Sequence, residues 1–347
     1  MNIDWALFPL LETNAQARDW LILQAKLGLA HNTIAAYGRG LNDFLGFCLR
    51  INVCPEVATR ADVSSYVNDL AHRPRPDLVA AQIVDHPVGL SNATLQQRLT
   101  AVRLFYDFLV EESIRPDNPV GRGRYTPGKS YGGHRDRGLV PRYRKLPWIP
   151  TEEQWLTILR TVRQGIPRNR VMFAMSYDAG LRREELCALE VADIDPAHRL
   201  IRIRAETTKN RKERMVPYSK ATSQLFTAYL QARAKLTRAR GKLFLSESPR
   251  NYSHAISIWT WSKVVKRIAE SSGVTRLTTH TLRHLCLTDL ARAGWDLHEI
   301  AQFAGHKSIE TTLDYIHLGG RDLAQKLERA SQSQHALRVA MMEEMFQ

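Results

Sequence analysis

The sequence predicts a mainly α-helical protein of two domains, the second carrying one small antiparallel β-sheet. Three observations lead there. Apolar residues recur at three- and four-residue steps through most of residues 12–113 and again beyond 151. That pattern breaks at 116–150, where Gly, Pro and Arg crowd together. It gives way to short apolar strands only around 200–217. With 347 residues the chain has room for two domains with cores of their own.

In the first domain, residues 1–120, Ala17, Trp20, Leu21, Leu23 and Leu27 mark one helix. Asn32 or Thr33 opens a second, with Ile34, Tyr37, Leu41, Phe44, Leu45 and Cys48 along one stripe. Thr59, whose side-chain oxygen can accept from the following turn, caps a third. Ser91 or Asn92 starts a fourth through Leu95, Leu99, Val102, Phe105, Tyr106 and Leu109. Four helices with mostly short joints make a compact module. The Pro-rich stretch at 74–90 is irregular and reads as a long loop.

Residues 121–150 form a basic interdomain linker that includes Arg135, Arg137, Arg142, Arg144 and Lys145. Such a stretch is a solvated spacer or, in a protein that binds nucleic acid, a strap that follows phosphates. The formal net charge of +14 is the footprint of a polyanion binder and favours the strap.

The second domain, 151–347, opens on Thr-Glu-Glu-Gln, a capping-box-like start. A helix follows over about 167–179; Gly180 breaks it, and Arg182 heads the next, aimed outward. Leu200, Ile201 and Ile203 supply one strand and Met215 and Val216 the return. Lys209 and Asn210 take the tip, where Asn tolerates a positive φ. Further helical patterns cover about 221–240 and 253–272. Thr278 or Thr279 caps the next helix, which Gly294 ends; Asp296 caps another, which Gly305 ends. Ser308 then caps a short helix with Tyr315 at its end, and 322–346 gives a last helix with Leu327 and Leu337 on its apolar stripe.

Composition narrows the function. No apolar run approaches the roughly eighteen residues of a membrane span. The first residues lack the basic start and cleavage site of a secretory signal. Cys48, Cys54, Cys187 and Cys286 are scattered and read as reduced, buried thiols of a cytoplasmic protein. The chemistry concentrates in 279–317. His280, Arg283 and His284 stand three and four apart, so they project from nearly one face of a helix. Such a face can recognise a phosphate, and a tyrosine held beside cations can act as a nucleophile because positive charge favours phenolate. His280 and His284 could instead ligate a metal, but the residues between them lack the Glu of a zincin motif, and no metal or cofactor is expected.

His280-Thr-Leu-Arg283-His284, then Ala304-Gly305-His306, then Tyr315 nine residues on, resembles the signature of the tyrosine recombinase (phage integrase) family. Gly180, Leu181, Arg182, Glu185 and Leu186 match that family's first box. The run from Lys209 to Pro217 matches its β-hairpin, with Asn210 and Arg211 in place of Gly-Asn. Thr33, Tyr37, Leu41, Phe44 and Phe47 resemble a helix of its core-binding domain.

The resemblance implies a two-domain clamp around duplex DNA: a four-helix core-binding domain and a mixed α/β catalytic domain. It implies strand breakage and rejoining through a 3′-phosphotyrosyl intermediate on Tyr315. Arg182 and Arg283 would hold the phosphate, with Glu185 supporting Arg182. His280 would be the base, Lys209 (with Lys212 as rival) the acid, and His306 a donor to the phosphate; His284 is more structural. Helix 322–346 would dock on a neighbouring protomer in a tetramer on paired recombination sites, or pack in cis. No separate arm-binding domain is expected. Type IB topoisomerase-like relaxation and non-catalytic DNA-binding regulation are the alternatives.

Overall fold

A computed structural model of the protein describes residues 3–74, 89–120, 140, 147–208 and 210–313. Lys209, Tyr315, the basic side chains at 135, 137, 142, 144 and 145, the stretch 75–88 and the helix expected at 322–346 lie outside the described residues. The chain divides into two compact units, Met1–Arg144 and Lys145–Gln347.

The first unit is helical: α1 (Pro9–Thr13), α2 (Ala15–Lys26), α3 (His31–Arg50), α4 (Arg60–His72) and α5 (Asn92–Glu111). Local chemistry sets their starts. Asn14 caps α2 and Ser91 caps α5, while Thr59 and Asp62 form a capping box on α4. The long helices α3 and α5 pack on each other around Trp20, Phe44, Tyr66, Phe105 and Tyr106, all fully buried. Phe44 and Tyr66 meet edge to face at 5.1 Å, the geometry that ring quadrupoles prefer. Leu23 and Leu27 keep the helical period yet remain exposed, at 37% and 66%. Val140, within the expected linker, is buried in this core, and its carbonyl accepts from Gln96 Nε2.

The second unit holds α6 (Glu152–Arg163), α7 (Pro167–Asp178), α8 (Arg183–Ala188), β1 (Ile194–Asp195), β2 (Leu200–Ile203), β3 (Arg214–Pro217), α9 (Lys220–Ala234), α10 (Ile258–Ser271), α11 (Thr279–Arg292), α12 (Leu297–Ala304) and α13 (Ile309–Leu313). The sheet is antiparallel in the order β1-β2-β3, with Ile201 facing both Ile194 and Val216. Strand β1 is too short to leave a periodic trace in the sequence.

Three helices differ from expectation. α3 already begins at His31 with Ala30 at its cap and no side chain capping it, so Asn32 and Thr33 lie within its first turn instead of opening it. α9 stops at Ala234 because buried Arg233 donates back to the carbonyls of Ala239, Lys242 and Leu243, drawing the chain around. α10 begins only at Ile258, since residues 253–256 exchange backbone hydrogen bonds with 244–246. The positive φ beyond β2 falls on Arg211 (51°), not Asn210. All four cysteines are free, but Cys54 is exposed and donates to Glu56, contrary to the expectation of four buried thiols. Burial pushes the other three up to about 12. Among the described residues no helix is long and apolar enough to cross a membrane.

Candidate active site

The site is built on Glu185. Arg182 is the N-cap of α8, and its backbone N–H donates to Glu185 Oε2 at 2.9 Å. Glu185 is 1% exposed, and Arg214 reaches it from β3 with a two-pronged contact, Nη1 to Oε1 at 3.0 Å and Nη2 to Oε2 at 2.8 Å. Arg182 Nη1 adds a bond to Oε1 at 2.8 Å. Burial would raise the carboxyl's pKa, but Arg214 and Arg182 outweigh it and hold Glu185 at about 2. It stays ionised at every working pH and fixes both guanidiniums.

The turn after α12 is the second foundation. Gly305 is left-handed (φ 63°) and ends α12. A Cβ there would stand 2.9 Å from Arg214 Nη1, so glycine is needed for both the turn and the arginine. Arg182 donates to Ala304 O (3.3 Å) and Gly305 O (3.2 Å), and Arg214 Nε to Phe303 O (3.0 Å). Asn210 Nδ2 also reaches Gly305 O, at 3.1 Å.

Arg283 arrives from α11. It is 2% exposed and donates to Gly180 O, to Ala304 O at 2.6 Å, and to His306 Nε2 at 2.9 Å. Gly180 is left-handed too (φ 55°), which turns its carbonyl from the end of α7 toward Arg283. His306 also lies 2.8 Å from Thr312 Oγ1 through Nδ1. Burial, and then Arg283, Arg182 and Arg214, push His306 down to about 3, against the pull of Glu185.

Arg182, Arg283 and His306 therefore gather at one turn, and two guanidiniums share the carbonyl of Ala304. Three arginines face one carboxylate, leaving a positive surplus suited to an anion. Arg182 does not aim outward as its helix position suggested: Glu185 and the Ala304–Gly305 carbonyls turn it inward, with 23% of its side chain exposed. His280, on the first turn of α11, stays exposed, and His284 is half-buried, their rings 6.2 Å apart. Desolvation by neighbouring side chains and nearby arginines lower His280, while Glu184 raises it. Burial, His280 and Arg283 bring His284 to about 4.

Sequence reasoning left Arg214 and Thr312 without roles. Arg214 had a signal: it lies two residues from buried Val216, on the same face of β3. Thr312 had none, because its partner is fixed only by the turn at Gly305. A groove of about 1120 Å³ opens beside the site, lined in part by Met215, Trp295, Phe303, Gly305, His306 and Lys307.

Residues 150–320 match the phage integrase family, and residues 20–113 its N-terminal SAM-like domain. Tyrosine recombinase XerC of Herpetosiphon aurantiacus is 30% identical, over 92% of this chain and 95% of its own length. Tyrosine recombinase XerD of Caulobacter vibrioides is also 30% identical, over 85% and 88%. Two solved structures share the fold. XerH recombinase bound to a palindromic difH substrate, a post-cleavage complex, superposes with TM-score 0.63 at 19% identity, covering 95% of this chain and 88% of its own. The Tn1549 transposon integrase in complex with transposon right end DNA gives 0.62 at 18%, covering 90% and 98%.

Proposed function

The chain belongs to the phage integrase family, the tyrosine recombinases, and on that footing we propose how its residues divide the work of a site-specific DNA recombinase. Tyr315 Oη attacks the scissile phosphorus and gives its proton to His280. A 3′-phosphotyrosyl bond forms, and the 5′-oxygen leaves with a proton from Lys209. The new bond keeps the energy of the old one, so the 5′-hydroxyl of a second strand can attack it and release the tyrosine. Arg182 and Arg283 hold the non-bridging oxygens and offset the charge of the pentavalent transition state. Arg214 and Glu185 keep Arg182 in place. His306 donates to the same phosphate once the anion raises its affinity for a proton.

The observation that carries this reading is the shared carbonyl of Ala304, which brings two arginines from distant helices to one point beside His306. The DNA is duplex and carries paired sites, and the enzyme acts on it as a tetramer in the cytoplasm, on the nucleoid. Residues 1–120 bind the core of the site, and 151–347 cut it. The basic stretch between them, with Arg135, Arg137, Arg142, Arg144 and Lys145, follows phosphate, and 322–346 dock on the next protomer. Relaxation without exchange and non-catalytic binding are not favoured.

Sequencing the DNA left covalently on the protein after denaturation tests the function. One recurring sequence at the phosphotyrosyl end is expected; random ends would mean relaxation without site choice.

A further inference from the structure

Thr312 lies in α13 with no exposed surface, and its hydroxyl is 2.8 Å from His306 Nδ1. On the other side of the ring, Arg283 Nη2 stands 2.9 Å from Nε2. A guanidinium offers donors only and stays protonated, so Nε2 must be the bare nitrogen of the ring. A neutral imidazole then carries its proton on Nδ1, and Thr312 Oγ1 accepts it. The pairing ties two elements together through one ring. Arg283 belongs to α11, whereas Thr312 belongs to the short helix three residues before Tyr315 in the chain.

We propose that Thr312 is a positioning residue for strand cleavage: its buried hydroxyl anchors His306 through Nδ1–H, leaving Nε2 on Arg283 while no DNA is bound; a phosphate entering between them favours the protonated ring, and Nε2–H and the guanidinium then both donate to it. The proposal rests on the reading that Arg283 and His306 contact the scissile phosphate. Without the hydroxyl, the Nδ1 proton loses its acceptor in a buried place. The alternative tautomer would set an Nε2–H against a guanidinium N–H, donor against donor, and the ring would have to swing away.

Thr312→Val keeps the volume and removes the hydroxyl; Thr312→Ser restores it. In the DNA-free protein, 15N NMR separates Nδ1–H from Nε2–H imidazoles, and His306→Gln assigns the signal. His306 should hold Nδ1–H in the parent and in Thr312→Ser, and lose that preference in Thr312→Val. With saturating nicked suicide substrate, cleavage by Thr312→Val should slow about tenfold at unchanged DNA affinity, and Thr312→Ser should stay within about twofold of the parent. An Nε2–H signal in the parent, or parent-like cleavage by Thr312→Val, overturns the proposal. Equal slowing in both variants overturns it too, by marking helix packing as the cause. Should Thr312→Val not fold, Thr312→Ala takes its place. A parent that forms no covalent adduct counts against the recombinase reading instead, and the NMR result then decides the proposal alone.

Discussion

Each unit of the molecule holds a cluster of arginines around carboxylates, and the two clusters differ in what they leave over. In the first unit, Asp43 pairs with Arg73 at 2.7 Å and Arg98 at 2.5 Å and accepts from Tyr66, while Asp69 serves Arg73 and Arg50. Burial would raise Asp43, but Arg73, Tyr66 and Arg98 outweigh it and lower its pKa. Two carboxylates there answer three guanidiniums at the rim of a helical core, with Asp43 20% exposed. Among the described residues of the second unit one carboxylate, Glu185, answers Arg182 and Arg214, while Arg283 donates to two carbonyls and an imidazole. The first cluster leaves one charge over, at a rim where Arg50 is half exposed. The second is held rigid by a carboxylate 1% exposed, yet keeps a larger positive surplus, as the proposed phosphate contact requires.

Kinetics should separate the two most sharply. Arg182→Ala should slow cleavage of bound DNA by roughly a hundredfold, about 3 kcal/mol, as for the loss of one charged donor to a transition state. Arg98→Ala should leave single-turnover cleavage at saturating DNA unchanged. Similar slowing in both would erase the distinction. Lys209→Ala should be as severe on an ordinary phosphodiester, whereas a substrate with a 5′-bridging sulfur, which leaves without a proton, should be cut at nearly the parent rate. Equal defects on both substrates would remove Lys209 as the acid and turn attention to Lys212.

Stability comes next. Glu185→Ala strands Arg214, whose side chain is 9% exposed, and should cost about 3–5 kcal/mol in urea unfolding. Asp43→Ala, nearer solvent, should cost about 1 kcal/mol. Equal costs would mean that burial does not distinguish the clusters.

The smallest effect is on pH. Burial, with the neighbouring cations, holds His284 near 4 and His306 near 3, against 6.5 for a free imidazole. The unfolded chain takes protons that these folded rings refuse. Their contribution to stability is therefore full above pH 6.5 and is lost as pH falls toward 4 and then 3. The melting temperature of the DNA-free protein should decline across that window, and His284→Gln should flatten the decline. An unchanged slope would remove His284 from its cause.

What could be read in advance was local or carried by motif. Caps at Thr59, Ser91, Thr151, Thr278 and Asp296 needed only a side chain and the turn that follows it. Arg182, Arg283 and His306 stood out by spacing. The meeting of the two arginines at the Ala304 carbonyl, beside His306, did not, because it depends on how α8, α11 and α12 pack. The inward turn of Arg182 followed from Glu185 being buried, which no periodicity reveals. Leu23 and Leu27 fit the helical period but lie beyond the width of the buried face, and Cys54 sits at an exposed loop. Thr312 waited on a turn whose left-handed glycine brings His306 back against α13.

The most direct test is Tyr315→Phe, which removes one hydroxyl and nothing else. Parent and variant are given nicked suicide substrates and resolved on denaturing gels after DNA affinity is measured for each. The variant should bind DNA like the parent and form no covalent adduct, while the parent's adduct should map to a peptide containing Tyr315. A persistent adduct in Tyr315→Phe would place the nucleophile elsewhere and contradict the proposal that this site presents one phosphate to Tyr315.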